Sequence, residues 1–197
     1  GTALIFFGEY TNTGTLANLN MWDKFQVSFF QSVTTRTAGY TTIDFTQLRE
    51  ATLFVMIILM FIGASPASTG GGIKTTTVAI IVMAVKSFVK DKNEITVFKK
   101  SINKYTFRKA LGVFVIAVVT VVTSTYLLTI TQGGKFNLLS SAFEVASAFA
   151  TVGLSLAGSY NLNLFGKILI IFLMFAGRVG SLTVFTIFLH EPEPDNV

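Results

Sequence analysis

The sequence has no cysteine and a single histidine, His190, among its 197 residues. Without cysteine there are no disulfides and no thiolate metal ligands, and one imidazole is too few for a histidine-based zinc site. We expect His190 to lie at the surface, near a membrane interface. Charged residues are also scarce, at 13%, whereas soluble domains average about 25%. With a hydrophobic fraction of 51%, this composition predicts an integral membrane protein and argues against a soluble enzyme.

Long uncharged runs predict membrane-spanning helices, because a helix needs about 20 apolar residues to cross a ~30 Å hydrocarbon core. Ala110–Ile130 meets that length without a charge, and Leu164–Leu189 predicts a second span. Leu48–Ile62 and Thr75–Val89 predict one hydrophobic element that is interrupted in its middle. Thr2–Phe7 is too short to span, and we interpret it as the end of a helix that starts outside the sequence.

A short segment occurs twice in the chain. Its two copies share a threonine at the first position and a glycine at the third, 114 positions apart. The residues are Thr37, Ala38, Gly39 and Tyr40 in the first T-x-G segment and Thr151, Val152, Gly153 and Leu154 in the second. The same spacing relates Leu59–Gly63 to Leu173–Gly177 and Phe29 to Phe143, which indicates an internal duplication.

Each T-x-G segment follows an apolar run of helical period that is too short to cross a membrane. Met21–Val33 precedes the first segment and Phe136–Ser147 the second, which predicts two re-entrant helices. Glycine permits a backbone that turns its carbonyl oxygens to one side, and rings of carbonyls replace the hydration shell of K⁺ in potassium channels. The pattern therefore predicts a K⁺ filter made of backbone carbonyls alone, with no catalytic residue.

A glycine-rich loop interrupts the hydrophobic element between residues 63 and 74. Its glycines and its proline cannot continue a helix, and non-helical backbone at membrane depth is tolerated where it borders a pore. The residues of this predicted gate are Gly63, Ser65, Pro66, Gly70, Gly71, Gly72 and Lys74. The phosphate-binding pattern G-x-x-x-x-G-K-[ST] is not met, because Ile73 separates Gly72 from Lys74. A water-exposed loop between two short helices is the alternative.

Arg178 and Glu144 are charged residues inside apolar segments. Arg178 lies within the last predicted span, where a charge costs about 2.5–3.5 kcal/mol on insertion scales and therefore usually faces a pore or a partner. We expect it on the cytoplasmic side of the T-x-G segments, with a snorkelling arginine as the alternative. Glu144 lies on the second short helix and has no carboxylate partner at a useful spacing. We expect Glu144 to form a helix-to-loop hydrogen bond and not to act in catalysis.

Basic residues concentrate between Lys86 and Lys109, which places that stretch in the cytoplasm under the positive-inside rule. Both T-x-G segments then enter from the outer face of the membrane. The +5 formal charge is thereby explained by orientation and not by nucleic-acid binding. The predicted divisions are a first unit at 1–90, a basic connector at 91–104, a second unit at 105–190 and a polar tail at 191–197.

These motifs resemble the Trk/Ktr/HKT superfamily of potassium transporters, most of all the membrane subunit of a bacterial Ktr uptake system. The resemblance rests on Thr35–Tyr40, Gly63–Thr75, Phe149–Ser155 and Gly177–Gly180. It implies an all-α, multi-pass protein of the bacterial cytoplasmic membrane with four helix–pore loop–helix repeats in pseudo-fourfold symmetry. This sequence would hold the third and fourth repeats, so half of the filter would come from residues outside it.

The resemblance also implies that 63–74 forms an intramembrane gate and that Arg178 projects into the same constriction. It implies a homodimer of membrane subunits, and a separate cytosolic ring that binds the regulatory nucleotide. The expected function is passive or Na⁺-linked K⁺ uptake, without a cofactor in this chain. Three alternatives stay open: a carrier with broken helices around a midplane site, a Na⁺-permeable HKT-like member, and a non-transporting membrane scaffold.

Overall fold

The computed structural model describes residues 1–66, 68, 70–90, 96–97, 100–101 and 104–179. The second half of the last predicted span, His190 and the tail at 191–197 lie outside the described residues, as does most of the basic connector. The helices of the described part are joined by loops, and its only paired strands are in one antiparallel ribbon within the connector, β1 (Thr96–Val97) with β2 (Lys100–Ser101). The helices are α1 (Thr2–Glu9), α2 (Met21–Thr34), α3 (Glu50–Phe61), α4 (Thr75–Val89), α5 (Lys104–Thr131), α6 (Leu138–Phe149) and α7 (Leu164–Val179).

Among the described helices, α5 alone is long and apolar enough to cross a membrane, with 27 residues from Tyr105 to Thr131 and a mean hydropathy of 2.3. It starts earlier than the predicted span at 110–130, and its first turns carry Arg108 and Lys109. Lys86 likewise lies within α4. The basic stretch is therefore not a continuous loop, because its two ends extend the apolar helices.

The helices pack as two groups that share a core. In the first group α1 contacts α2 and α3, and in the second α5, α6 and α7 contact one another. The groups meet where α3 packs on α6 and α4 packs on α5. The shared core places Met56 and Met60 of α3 against Phe143 and Ala146 of α6. As a result α6 is buried over most of its length, with Phe143 and Val145 at 0% exposure.

The predicted re-entrant helix α2 has its polar side inward. Its buried residues are Lys24, Ser28, Gln31 and Thr34. Its aromatic residues face outward, and Trp22, Phe25 and Phe29 stack on one another. Phe29 is 54% exposed whereas Phe143 is fully buried, so the two phenylalanines that the 114-residue spacing pairs do not occupy equivalent places.

A buried carboxylate connects the first helix to the start of the third. Glu9, at the end of α1, is 0% exposed and accepts hydrogen bonds from the Arg49 backbone N–H (3.0 Å) and the Thr15 hydroxyl (2.8 Å). It also accepts from the Thr52 hydroxyl. In the second group the amide oxygen of Gln132 accepts from the Asn163 backbone N–H at 3.1 Å, which is the matching contact between α5 and α7.

We expect Glu9→Ala to lower the free energy of unfolding by about 2–4 kcal/mol, because it leaves the buried Thr52 hydroxyl and the partly buried Arg49 N–H without an acceptor. Thermal unfolding of the detergent-solubilised protein measures the change. Glu50→Ala is the control, since Glu50 is an exposed carboxylate in the first turn of α3. Equal melting temperatures for the two variants would contradict the role of Glu9.

Candidate functional site

The two T-x-G segments lie against each other, although 114 residues separate them in the chain. A Cβ added to Gly39 would lie 2.4 Å from the carbonyl oxygen of Val152 and 3.7 Å from the Cα of Gly153. A Cβ added to Gly153 would lie 3.9 Å from the Cα of Gly39. The backbones of the two segments are therefore in contact through their glycines.

Both segments adopt the same unusual backbone. Thr37 and Thr151 have φ values of 69° and 54°, and they are the only non-glycine residues with positive φ among the described residues. Gly39 and Gly153 follow two positions later with φ values of 74° and 89°. Such conformations cost about 1–3 kcal/mol at a non-glycine residue and cluster at ligand sites. The shared geometry agrees with the duplication that the sequence predicts.

The chain leaves both segments by the same route. A 3₁₀ turn follows each one, at Phe45–Gln47 and at Ser159–Asn161, and α3 and α7 begin at Glu50 and Leu164. Both pairs keep the 114-residue spacing. Asp44 caps the first turn, and its hydrogen bonds from the side chain and the backbone N–H of Thr46 lower its pKa.

Polar side chains of the short helices hold the chain just beyond each segment. The Glu144 carboxylate of α6 accepts from the backbone N–H groups of Leu156 (2.9 Å) and Ala157 (3.3 Å), and from the hydroxyls of Ser155 and Ser159. The helix-to-loop hydrogen bond predicted for Glu144 is thus confirmed.

Gln31 makes the corresponding contact in the first group, and sequence reasoning missed it. Its amide donates to the Thr41 and Thr42 hydroxyls at 3.3 and 3.2 Å. Gln31 therefore matches Glu144, at a spacing one residue shorter than 114, and Phe30 does not. Thr34 adds a further contact, because its hydroxyl accepts from the Tyr40 backbone N–H at 3.0 Å.

The glycine-rich loop touches the first residue of both segments. The backbone N–H of Gly71 donates to Thr151 Oγ1 at 3.0 Å. A Cβ added to Gly70 would lie 3.0 Å from Thr37 Cγ2, and both glycines are buried. The structure thus brings together the T-x-G segments and the loop, which are distant in sequence.

The glycine-rich loop interrupts a segment whose two ends run in the same direction. Ile62 and Ile73 form a parallel bridge across its base, and Ile73 N–H donates to the Phe61 carbonyl at 3.2 Å. Parallel pairing means that the chain leaves the loop in the direction in which it entered. This agrees with the predicted hydrophobic element that is interrupted in its middle.

Contacts within the loop involve most of the predicted gate residues. The Lys74 ammonium donates to the carbonyls of Gly70 (2.6 Å) and Ser68 (3.2 Å). The Ser65 carbonyl accepts from the Ser68 N–H at 3.2 Å, and Pro66 lies in the turn between them. The loop folds back on its own entrance, because a Cβ on Gly63 would lie 2.1 Å from the Gly71 carbonyl oxygen.

Two arginines lie near this arrangement. Arg178 is an exposed residue in the last described turn of α7, next to Gly177, where a Cβ would lie 1.8 Å from the Phe149 carbonyl oxygen. Arg36 precedes the first T-x-G segment, and its Nη1 donates to the carbonyls of Leu59 (3.1 Å), Gly63 (3.0 Å) and Ile62. Sequence reasoning placed Arg36 only in a motif and assigned it no role.

The oxygen atoms of Thr37–Gly39 and Thr151–Gly153 belong to backbone carbonyls and threonine hydroxyls. The described residues contain no group of three or more His, Cys, Asp or Glu side chains that could hold a metal ion. Neutral oxygens at closely apposed backbone segments suit a weakly held monovalent cation, which must leave the site as readily as it enters.

Comparison with known proteins identifies relatives along the whole chain. The chain is 42% identical to the Ktr system potassium uptake protein B of Bacillus subtilis over 193 residues, which is 98% of this chain and 43% of that protein. It is 46% identical to the Ktr system potassium uptake protein D of the same organism over 157 residues, 80% of this chain and 34% of that protein. The potassium/sodium uptake protein NtpJ of Enterococcus hirae is 37% identical over 186 residues, 93% of this chain and 41% of that protein.

The chain therefore spans less than half the length of the curated relatives it matches. The TrkH family, described as cation transport proteins, matches residues 2–197. This match confirms the resemblance to the Trk/Ktr superfamily that the motifs indicated. Because it covers nearly every residue, the chain belongs to the TrkH family of cation transport proteins.

Proposed function

We propose that this chain forms part of the ion path of a K⁺ uptake transporter in the bacterial cytoplasmic membrane. The observation that carries the proposal is the contact between the two T-x-G segments, whose glycine backbones meet with matching positive φ values. K⁺ would lose water and bind the carbonyls of Thr37–Gly39 and Thr151–Gly153. Relatives at 39–46% identity are potassium uptake proteins, which supports this assignment.

The complete filter requires further repeats, and a comparison within the chain supports this part of the proposal. The second T-x-G segment is covered by α3 of the first group, so that Val152 and Leu154 are buried. The first segment lacks such a cover in the described structure, and Tyr40 is 72% exposed. A preceding repeat with its own equivalent of α3 would cover Tyr40 and the aromatic face of α2. Four such units would give the pseudo-fourfold helix–pore loop–helix architecture.

The glycine-rich loop is the proposed gate. It packs against Thr37 and Thr151, and its position is held by the Gly71–Thr151 hydrogen bond and by Lys74. A cation that leaves the filter past these threonines would meet Gly70 and Gly71. Conduction therefore requires the loop to move. Arg178, at the far end of α7, would add a positive charge to the same constriction.

The remaining parts of the assembly are also proposals. The basic residues at the ends of α4 and α5 would lie in the cytoplasm, where they could contact a nucleotide-binding regulatory ring. The homodimer and the surrounding lipid would cover the outward apolar surface of α5, where Val122 is 60% exposed. A broken-helix carrier explains the interrupted element, but it gives no reason for two T-x-G backbones in contact.

Sodium is the second candidate, either as a coupled ion or as a permeating one. The observation that favours it is the name of the Enterococcus hirae relative, a potassium/sodium uptake protein. K⁺ uptake can be measured with and without external Na⁺ in cells that lack their own K⁺ uptake systems. Uptake that depends on Na⁺ shows coupling of the two ions, and uptake that does not depend on Na⁺ shows that K⁺ moves independently. Uptake of labelled Na⁺ in the absence of K⁺ tests permeation.

We expect Gly39→Ser to reduce the preference for K⁺ over Na⁺ more strongly than Gly153→Ser. A Cβ at Gly39 meets the Val152 carbonyl oxygen at 2.4 Å, whereas at Gly153 the nearest atom is 3.9 Å away. At Gly153 the remaining effect is that of a positive φ at a non-glycine residue, about 1–3 kcal/mol, which Gly39→Ser carries as well. Relative uptake of K⁺ and Na⁺ by the intact transporter measures the preference.

Gly112→Ser in α5 is the matched control, since no atom lies within 4 Å of a Cβ added there. It should leave both uptake rates unchanged. If the Gly39 variant keeps the wild-type preference at a normal amount in the membrane, the filter assignment is wrong.

Deletion of Gly70–Gly72 should raise the resting K⁺ flux, because it removes the part of the loop that packs under the two threonines. The flux is measured as uptake of labelled Rb⁺ without the regulatory ring, normalised to the amount of transporter in the membrane. An unchanged flux at equal amount would show that the loop does not obstruct the path.

A further inference from the structure

Arg36 connects two parts of the site that are 27 residues apart in sequence. It directly precedes Thr37, the first residue of the first T-x-G segment. Its guanidinium group reaches the carbonyls of Leu59 (3.1 Å), Ile62 and Gly63 (3.0 Å) at the point where α3 ends and the glycine-rich loop begins. The side chain of Arg36 thus bonds to the base of the proposed gate, while the backbone of Arg36 belongs to the entrance of the proposed filter.

The three carbonyls are available because the helix breaks there. If α3 continued, the Leu59 carbonyl would accept from the Gly63 N–H, and the Ile62 carbonyl would face Pro66, which has no N–H. The helix end leaves carbonyls without an intrahelical partner, and a side-chain donor can satisfy them. Arg36 supplies it, and a cation at the carboxyl end of a helix is also favoured by the helix dipole.

The second group provides a comparison within the same chain. The residue 114 positions after Arg36 is Ala150, which is fully buried. The helix at the matching place does not break, because α7 runs from Leu164 to Val179 through Leu173 and Gly177. In the first group, where the helix after the T-x-G segment is interrupted, an arginine precedes the segment. In the second group, where that helix is continuous, an alanine precedes it.

We propose that Arg36 is a positioning residue that couples the gate to the filter. The proposal rests on the proposed function of the T-x-G segments and the loop. A swing of the loop about Gly63 displaces the carbonyls that hold the guanidinium group, and Arg36 transmits that displacement to Thr37. On the other side, the Gly71 N–H bond to Thr151 Oγ1 forms a second direct link between loop and filter. Gate position and filter geometry therefore change together.

The test uses Arg36→Gln and Arg36→Lys in the intact transporter. Arg49→Gln is the matched control, because its guanidinium group also bonds to another helix, at the Gly8 carbonyl (3.0 Å) and the Thr11 hydroxyl (2.8 Å), but away from the loop. Loss of charged hydrogen bonds of this kind changes an equilibrium by about tenfold. We expect Arg36→Gln to raise resting Rb⁺ uptake by about fivefold to tenfold and to lower the K⁺/Na⁺ preference. Arg36→Lys, which keeps the charge but not the planar fork, should fall between wild type and Arg36→Gln.

The double variant separates coupling from simple helix capping. If Arg36 acts through the loop, Arg36→Gln should not raise the flux further in a transporter that already lacks Gly70–Gly72. Effects that multiply in the double variant, or Arg36 variants that behave like Arg49→Gln, would overturn the proposal. If the loop deletion by itself does not raise the flux, the gate assignment is wrong; the K⁺/Na⁺ preference of Arg36→Gln then decides whether Arg36 still links the loop to the filter. Should Arg36→Gln not reach the membrane, Arg36→Lys provides the same comparison.

Discussion

In an apolar chain, backbone N–H and C=O groups that lie outside a regular helix need other hydrogen-bond partners. The contacts throughout the site follow from this requirement. The T-x-G segments and the interrupted helix all place carbonyl and N–H groups outside a helix. Side chains then pair with backbone groups around the site: Glu144 acts beyond the second segment, Lys74 inside the loop, and Arg36 at the helix break. In the proposed filter, the carbonyls of Thr37–Gly39 and Thr151–Gly153 would bind the ion, while the neighbouring backbone is held by other groups.

The two groups of helices use the same architecture in different surroundings. In the second group the short helix α6 lies between α3, α5 and α7, and its apolar residues are buried. In the first group the short helix α2 contacts mainly α1, and its aromatic residues are exposed. The backbone of the T-x-G segments is nevertheless alike in both. Local hydrogen bonds from each short helix, more than packing around it, therefore define the segment conformation.

Several features could be predicted from the residues alone. The T-x-G segments, the interruption at Gly63–Lys74 and the long apolar helix follow from glycine, proline and hydrophobic patterns, which act over short distances. The register of the short helices could not be predicted, because a fixed spacing of 114 pairs Phe29 with Phe143, whereas contacts pair Gln31 with Glu144. The roles of Glu9 and Arg36 were also missed, since their partners lie up to 43 residues away along the chain, in other elements or loops.

The sequence by itself determined the class of protein, the duplication and the positions of the two unusual backbone segments. Composition and local steric preferences can be deduced from the sequence because they do not depend on tertiary contacts. Only the tertiary structure decided that Gly39 meets Gly153, that Gly71 bonds to Thr151 and that Arg36 pairs with the broken end of α3. These contacts depend on how helices pack in three dimensions, and packing joins residues whose distance along the chain gives no sign of their proximity.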